Sequence, residues 1–98
     1  MKKEICRNCI VKTKGHTEEF DERKVYWSVY AACASAHCDE EDCEETSDIV
    51  TKKIKNFIKN KKRIDSLEIR KKVENELKKK DEEIAFFYEQ HLPNLKKL

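Results

Sequence analysis

The sequence has one glycine and one proline in 98 residues, and none of its apolar runs approaches the length of a membrane span. So few helix-breaking residues favour a compact helical protein. The lysine-rich start also lacks the apolar core of a signal peptide, so we expect a soluble, cytoplasmic protein. A formal net charge of +2 does not by itself indicate a nucleic-acid or membrane partner.

Catalytic patterns are missing as well. The sequence contains no Gly-rich phosphate loop, no Ser/His/Asp arrangement and no paired base beside a plausible nucleophile. His37 next to Cys38 would point away from it on a helix, which argues against a cysteine nucleophile. We therefore expect a protein that is not an enzyme.

Charged residues are abundant instead, at 43 % of the chain against 38 % for apolar ones. A core built from so few apolar residues must come from amphipathic helices with charged outer faces. Ninety-eight residues allow one domain with one modest core.

The stretch from Val11 to Cys33 predicts a hairpin followed by a helix. Gly15 is the one residue that takes a positive φ without steric cost, and it separates two short strands. Val25, Val29 and Cys33 then recur every four residues, which predicts an amphipathic helix from Asp21 to about His37.

Three more helices follow in the pattern. An acidic loop from Asp39 to Asp48 precedes a helix over about 48–60, capped by Thr46, Ser47 or Asp48. Ile64 adds a short third strand, Ser66 caps a helix that ends near 80, and a last helix from about 81 stops at Pro93. The predicted fold is α+β, with a small N-terminal β-hairpin or three-stranded sheet capping a bundle of about four α-helices.

The order of several short motifs resembles the ATP-cone domain. The match covers roughly residues 10–92, with a Cys-containing lead-in at 1–9 and a C-terminal tail at 93–98. Its middle motif runs from Ile64 to Ile69, and its last from Ala85 to Tyr88. The first motif is carried by Ile10, Lys12, Gly15, Glu18, Phe20, Asp21, Lys24 and Val25.

The resemblance implies a freestanding regulatory domain that binds ATP or dATP with Mg²⁺ and controls a partner protein or its own oligomeric state. The implied partner is an enzyme related to ribonucleotide reductase or a transcription factor. The implied nucleotide-binding residues are Ile10, Lys12, Lys14, Glu18, Asp21, Lys24, Ser66 and Arg70. Ser66 lies at a helix start that favours anions, and Arg70 lies one turn later.

Two positions depart from the family pattern. Thr13 stands where arginine usually follows the strand lysine, and Lys14 replaces an acidic residue before the glycine. Neighbouring strand positions face opposite sides, so Lys14 is not an equivalent replacement for that arginine. A degenerate cone that has lost its ligand and acts as an oligomerisation scaffold is therefore an alternative.

Five cysteines are many for a short charged chain. Cys33 fits the apolar stripe of the first helix as a small hydrophobe. The other four, Cys6, Cys9, Cys38 and Cys43, suit a structural zinc site because Cys6-x-x-Cys9 has zinc-knuckle spacing. Disulfides and free thiols are the alternatives.

One concentrated basic segment runs from Lys52 to Arg63. It predicts a solvated helix face, or else the contact surface of a zinc-stabilised interaction or nucleic-acid-binding module.

Overall fold

The computed structural model of the chain describes the backbone of residues 10–13 and 16–97, and the side chains of residue 11 and residues 17–90. Within these ranges the elements follow in the order β1 (Ile10–Thr13), β2 (His16–Glu19), α1 (Glu22–Ser35), α2 (Glu40–Ile58), β3 (Arg63–Asp65), α3 (Ser66–Lys80) and α4 (Glu82–Lys97). The predicted bundle of four helices is confirmed.

The three short strands pair in the order β2-β1-β3. β1 is antiparallel to β2, with Val11 opposite Glu18. β1 is parallel to β3, with Val11 opposite Ile64 and Lys12 opposite Asp65. Val11 and Ile64 are both buried in the same core cluster as the helices, so these strands cover one end of the bundle.

Asp21 caps α1, because its carboxylate accepts a hydrogen bond from the Arg23 backbone N–H at 3.0 Å. The predicted stripe is confirmed, because Val25, Val29 and Cys33 are all buried. The helix ends at Ser35 rather than at His37, whose φ of 67° lies in the left-handed region and turns the chain toward α2.

The acidic segment is helix rather than loop, so that prediction was wrong. Asp39 caps α2 by accepting a hydrogen bond from the Asp42 N–H at 2.9 Å, and acidic residues fill the first turn. Carboxylates there complement the positive end of the helix dipole. Thr46 and Ser47, expected at the cap, are instead buried inside the helix.

Two further helix ends differ from expectation. Asp65, not Ser66, caps α3, and its carboxylate accepts a hydrogen bond from the Leu67 N–H at 3.0 Å. Pro93 does not stop the last helix, because α4 continues to Lys97.

The core lies between the helices and is centred on large side chains that are at most 1 % exposed, namely Ile54 of α2, Val73 and Leu77 of α3, and Ile84 of α4. Burying each such side chain contributes about 1.5–3 kcal/mol. Among the described residues, none of the helices has the length and hydropathy needed to cross a membrane.

Candidate functional site

Strand β1 lies between β2 and β3, so residues of both neighbouring strands lie beside it. Glu18 on β2 lies opposite Val11, and Asp65 on β3 lies opposite Lys12. Adjacent strands are about 4.8 Å apart, so the Glu18 and Asp65 backbones lie about 10 Å apart across β1. Ser66 follows Asp65 directly as the first residue of α3. A strand lysine position and a helix N-terminus are thereby neighbours.

Glu18 and Lys24 form an ion pair between β2 and the first turn of α1. Lys24 Nζ lies 3.0 Å from Glu18 Oε1, and the two side chains are 66 % and 41 % exposed. A pair this exposed stabilises the fold by little, about 0–1 kcal/mol. Both groups are therefore available to an incoming charged ligand.

Asp21 directly precedes the first turn of α1, and its carboxylate pairs with Arg23. The Arg23 guanidinium donates to both carboxylate oxygens, with Nε 3.2 Å from Oδ1 and Nη2 3.3 Å from Oδ2. This side-chain bond, with the hydrogen bond from the Arg23 backbone, lowers the pKa of Asp21. Asp21 therefore combines two roles, as helix cap and as an ionised acceptor near Lys24.

A second cluster consists of Ser28, one turn further along α1, Arg70, one turn further along α3, and Tyr88 of α4. Tyr88 of α4 is buried, and the Ser28 hydroxyl and the Arg70 charge both act on the ionisation of its phenol. Burial raises the pKa of Tyr88 to about 12, although the Arg70 charge and the Ser28 hydrogen bond act in the opposite direction. Ser28 also donates to the Val25 carbonyl at 2.9 Å. Polar groups of α1 and α3 therefore lie near enough to the buried phenol of α4 to affect its ionisation.

The two clusters are connected by helical spacing. Lys24 and Ser28 are four residues apart on α1, and Ser66 and Arg70 are four apart on α3. Residues at this spacing share a face and lie about 6 Å apart. Because Ser28 and Arg70 both act on the pKa of Tyr88, the rows that begin with Lys24 and Ser66 both run toward the region of that side chain.

Three of the predicted nucleotide-binding residues lie wholly or partly outside the described residues. The side chains of Ile10 and Lys12, and all of Lys14, lie outside the described residues. The other five are placed on β2, the start of α1 and the start of α3.

The predicted zinc ligands are compared only in part, because Cys6 and Cys9 lie outside the described residues. Cys43 is buried, and its thiol donates to the Cys38 carbonyl oxygen at 3.7 Å. Burial raises the pKa of both the Cys38 and the Cys43 thiols, which favours their protonated forms. Within the described part of the chain, no three His, Cys, Asp or Glu side chains are grouped to hold a metal ion.

Two open grooves lie away from the predicted nucleotide site. One, of about 720 Å³, is lined by Tyr26 and by carboxylates of the α2 start. The other, of about 210 Å³, runs between α1 and α2 beside Tyr26 and Trp27. Neither is lined by the residues of the predicted nucleotide site.

Sequence reasoning missed that Ser28 and Arg70 both act on Tyr88. Ser28 and Tyr88 were noticed only as motif letters, and nothing in their spacing shows that they lie close together. The available signal was that Ser28 lies four residues after Lys24, on the helix face where a second polar contact belongs.

The sequence matches the family model of the ATP cone domain over residues 8–90. No curated protein matches the chain.

Proposed function

The chain belongs to the ATP-cone domain family, and we propose that it binds ATP or dATP at the corner where α1 and α3 begin beside β1. ATP-cone domains are nucleotide-sensing regulatory domains rather than catalytic ones. We further propose that binding regulates a partner protein or the chain's own assembly, without turnover of the nucleotide.

The observation that carries the proposal is the strand register, which sets Lys12 of β1 opposite Asp65, the cap of α3, and sets β2, whose Glu18 pairs with Lys24, on the other side of β1. Lys24 and Ser28 lie one turn apart on α1, Ser66 and Arg70 lie one turn apart on α3, and Ser28 and Arg70 both act to lower the pKa of Tyr88. A triphosphate needs several donors within a few ångströms. Two cations, the Ser66 hydroxyl and the free N–H groups of a helix start supply them.

The existing ion pairs supply a way to respond to the ligand. A phosphate that binds Lys24 competes with Glu18, which holds that ammonium at 3.0 Å. The carboxylates of Glu18 and Asp21 are then available to the Mg²⁺ that accompanies the phosphates, since Mg²⁺ prefers oxygen ligands. β2 and α1 are linked through this pair, so binding changes how the hairpin is held against the bundle.

Regulation follows from differential affinity. A ligand shifts an equilibrium between two states only by the difference in its affinity for them. If the nucleotide binds best in one arrangement of β2 against α1, it favours whichever partner-bound or self-associated state needs that arrangement. An enzyme related to ribonucleotide reductase or a transcription factor is the partner we expect.

Calorimetric titration with ATP, dATP and GTP in the presence of Mg²⁺ tests the proposal. We expect saturable heat with ATP or dATP, and at least tenfold weaker binding for Lys12→Ala and for Arg70→Ala. Lys78→Ala is the matched control, because Lys78 lies on α3 like Arg70 but in its last turn. No heat at millimolar nucleotide, or equal binding by all variants, would contradict the proposal and leave the oligomerisation scaffold as the better reading.

The structural zinc site stays a proposal that rests on the Cys6-x-x-Cys9 spacing and on the proximity of Cys38 and Cys43. Metal analysis of protein purified without added metal tests it, and about one zinc per chain is the expected result. Loss of that zinc in Cys6→Ser, with wild-type content in Cys33→Ser, would assign it to these ligands. The cytoplasmic location also stays a prediction.

A further inference from the structure

The exposed side of α2, extended by its C-cap residue Lys59, carries six charges at coiled-coil spacing. Positions 41, 45, 48, 52, 55 and 59 are separated by four, three, four, three and four residues, and all six are exposed. This is the spacing of the a and d positions of a heptad, which form one straight stripe along a helix. The first three are the acidic residues Glu41, Glu45 and Asp48. The last three are the basic residues Lys52, Lys55 and Lys59.

We propose that this charge stripe pairs with the same stripe of a second copy of the chain in an antiparallel, two-fold symmetric dimer. Antiparallel alignment about the middle of the stripe places Glu41 opposite Lys59 of the second copy and Glu45 opposite its Lys55. Asp48 meets Lys52 of the second copy beside the axis. A two-fold interface must be self-complementary, and this stripe meets that condition at every position. Parallel alignment would place like charges together.

The ion pairs present within one chain are compatible with this pairing. Lys52 Nζ lies 3.3 Å from Asp48 Oδ2, with side chains 73 % and 59 % exposed. Lys55 pairs with Glu22 at 2.7 Å and is also about half exposed. Such exposed pairs contribute little to stability, and their charged groups stay accessible to groups of a second chain. At the axis, two Asp48–Lys52 pairs form a ring of alternating charge.

Aromatic side chains beside the stripe supply the apolar contact that charges alone lack. Trp27 is 59 % exposed, and its ring is 5.0 Å from that of Tyr26 and 5.2 Å from that of Tyr30. Trp27 and Tyr26 share the groove between α1 and α2 with Asp48, Lys52 and other residues. Tryptophan and tyrosine are enriched at the buried centres of interfaces.

The area of the surface formed by the charge stripe and the aromatic side chains beside it predicts a reversible dimer. A 19-residue helix is about 28 Å long, and two packed helices are about 18 Å wide. The face therefore offers about 500 Å² per copy, and about 1,000 Å² in total. That is the lower end of the range for specific interfaces. We expect a dimer that forms at high protein concentration and low salt.

Sedimentation velocity at about 20 mM salt, where surface charges are weakly screened, tests the proposal without nucleotide. Two variants carry the decisive change. One is Glu41→Lys/Glu45→Lys/Asp48→Lys, with a wholly basic stripe, and the other is Lys52→Glu/Lys55→Glu/Lys59→Glu, with a wholly acidic stripe. We expect the wild type to dimerise, each variant alone to associate at least tenfold more weakly, and their equimolar mixture to form a 1:1 dimer. Circular dichroism checks that both variants fold.

A control separates stripe pairing from attraction between opposite net charges. Glu68→Lys/Glu83→Lys/Glu89→Lys changes net charge as much as the basic-stripe variant, at exposed positions on α3 and α4. This control should dimerise like the wild type. A wild type that stays monomeric, a basic-stripe variant that still self-associates, or a control that pairs with the acidic-stripe variant as well as the basic-stripe variant does would overturn the proposal.

Discussion

Glu76 on α3 is the one charged side chain among the described residues that is buried in the bundle, and its replacement by glutamine should destabilise the protein. Its side chain is 7 % exposed, and its carboxylate lies 3.3 Å from Lys53 Nζ, 3.4 Å from Lys72 Nζ and 3.6 Å from Lys79 Nζ. Lys53 belongs to α2, so this network joins α2 to α3. Glu76→Gln keeps the volume and removes the charge.

The magnitude follows from the exposure of the partners. An exposed pair contributes about 0–1 kcal/mol, and a hydrogen bond to a charged group contributes about 1.5–3 kcal/mol when buried. Here the acceptor is buried but Lys53 and Lys79 are 52 % and 71 % exposed, so their contributions are reduced by solvent. We expect a loss of about 1–2 kcal/mol. For a domain of this size, that lowers the melting temperature by at least about 5 °C.

The same network makes stability depend on pH. Burial opposes ionisation of Glu76, but hydrogen bonds from Lys53 and Lys72 and the nearby lysine charges outweigh it, so its pKa lies below the ordinary 4.5. A lowered folded-state pKa adds stability that is present above about pH 4.5 and is lost as the pH falls through the folded-state pKa. Glu76→Gln lacks that contribution to stability, so the difference in stability between the variant and the wild type should shrink as the pH falls.

Urea unfolding at pH 7 and pH 3 measures both effects, with Glu89→Gln as the control because Glu89 is exposed on α4. The reasoning is refuted if Glu76→Gln matches the wild type at pH 7, or if its deficit is as large at pH 3. An equal deficit in Glu89→Gln would show that net charge, and not the buried network, is responsible.

Three further predictions concern capping, packing and thiol burial. Asp39→Ala should cost about 1 kcal/mol in urea unfolding, because it removes the cap of α2, whereas Asp39→Asn should cost less; equal losses would contradict the cap. Ile54→Ala should cost about 2–5 kcal/mol, since Ile54 is fully buried, and a loss below about 1 kcal/mol would contradict its place in the core. With the two N-terminal cysteines replaced by serine, Cys38 should react with a thiol reagent in the native state while Cys33 and Cys43 react only on unfolding; equal rates would contradict their burial.

The first helix could be predicted from sequence because its signals agree. Val25, Val29 and Cys33 have helical spacing, and Asp21 is a good capping residue. The bundle of four helices followed from repeats of this kind. Where spacing and capping favour the same element, tertiary contacts have little left to decide.

The start of the second helix could not be predicted because two signals conflicted. Seven carboxylates between positions 39 and 48 suggested a solvated loop. The helical stripe through this region consists of Cys43, Thr46, Ser47 and Val50, all of them buried, but small or polar residues are weak markers of a core. Asp39 followed by three acidic residues was the signal that indicated a helix start.

The candidate site was predictable in its members but not in its contacts. Motif letters selected Lys24, Ser66 and Arg70, while the approach of Ser28 and Arg70 to Tyr88 depends on how α1, α3 and α4 pack. Contacts between distant segments are a property of packing, and one sequence does not specify them.

Mapping the nucleotide by NMR is the most direct test of the central claim. Backbone amide signals of ¹⁵N-labelled protein are followed during titration with ATP and Mg²⁺, at a salt concentration that keeps the chain monomeric. We predict that the signals that shift belong to residues 17–24 and 65–70, and that those of 41–55 on α2 stay in place. Shifts confined to α2, or none at saturating nucleotide, would contradict the claim that the helix starts beside β1 bind the ligand.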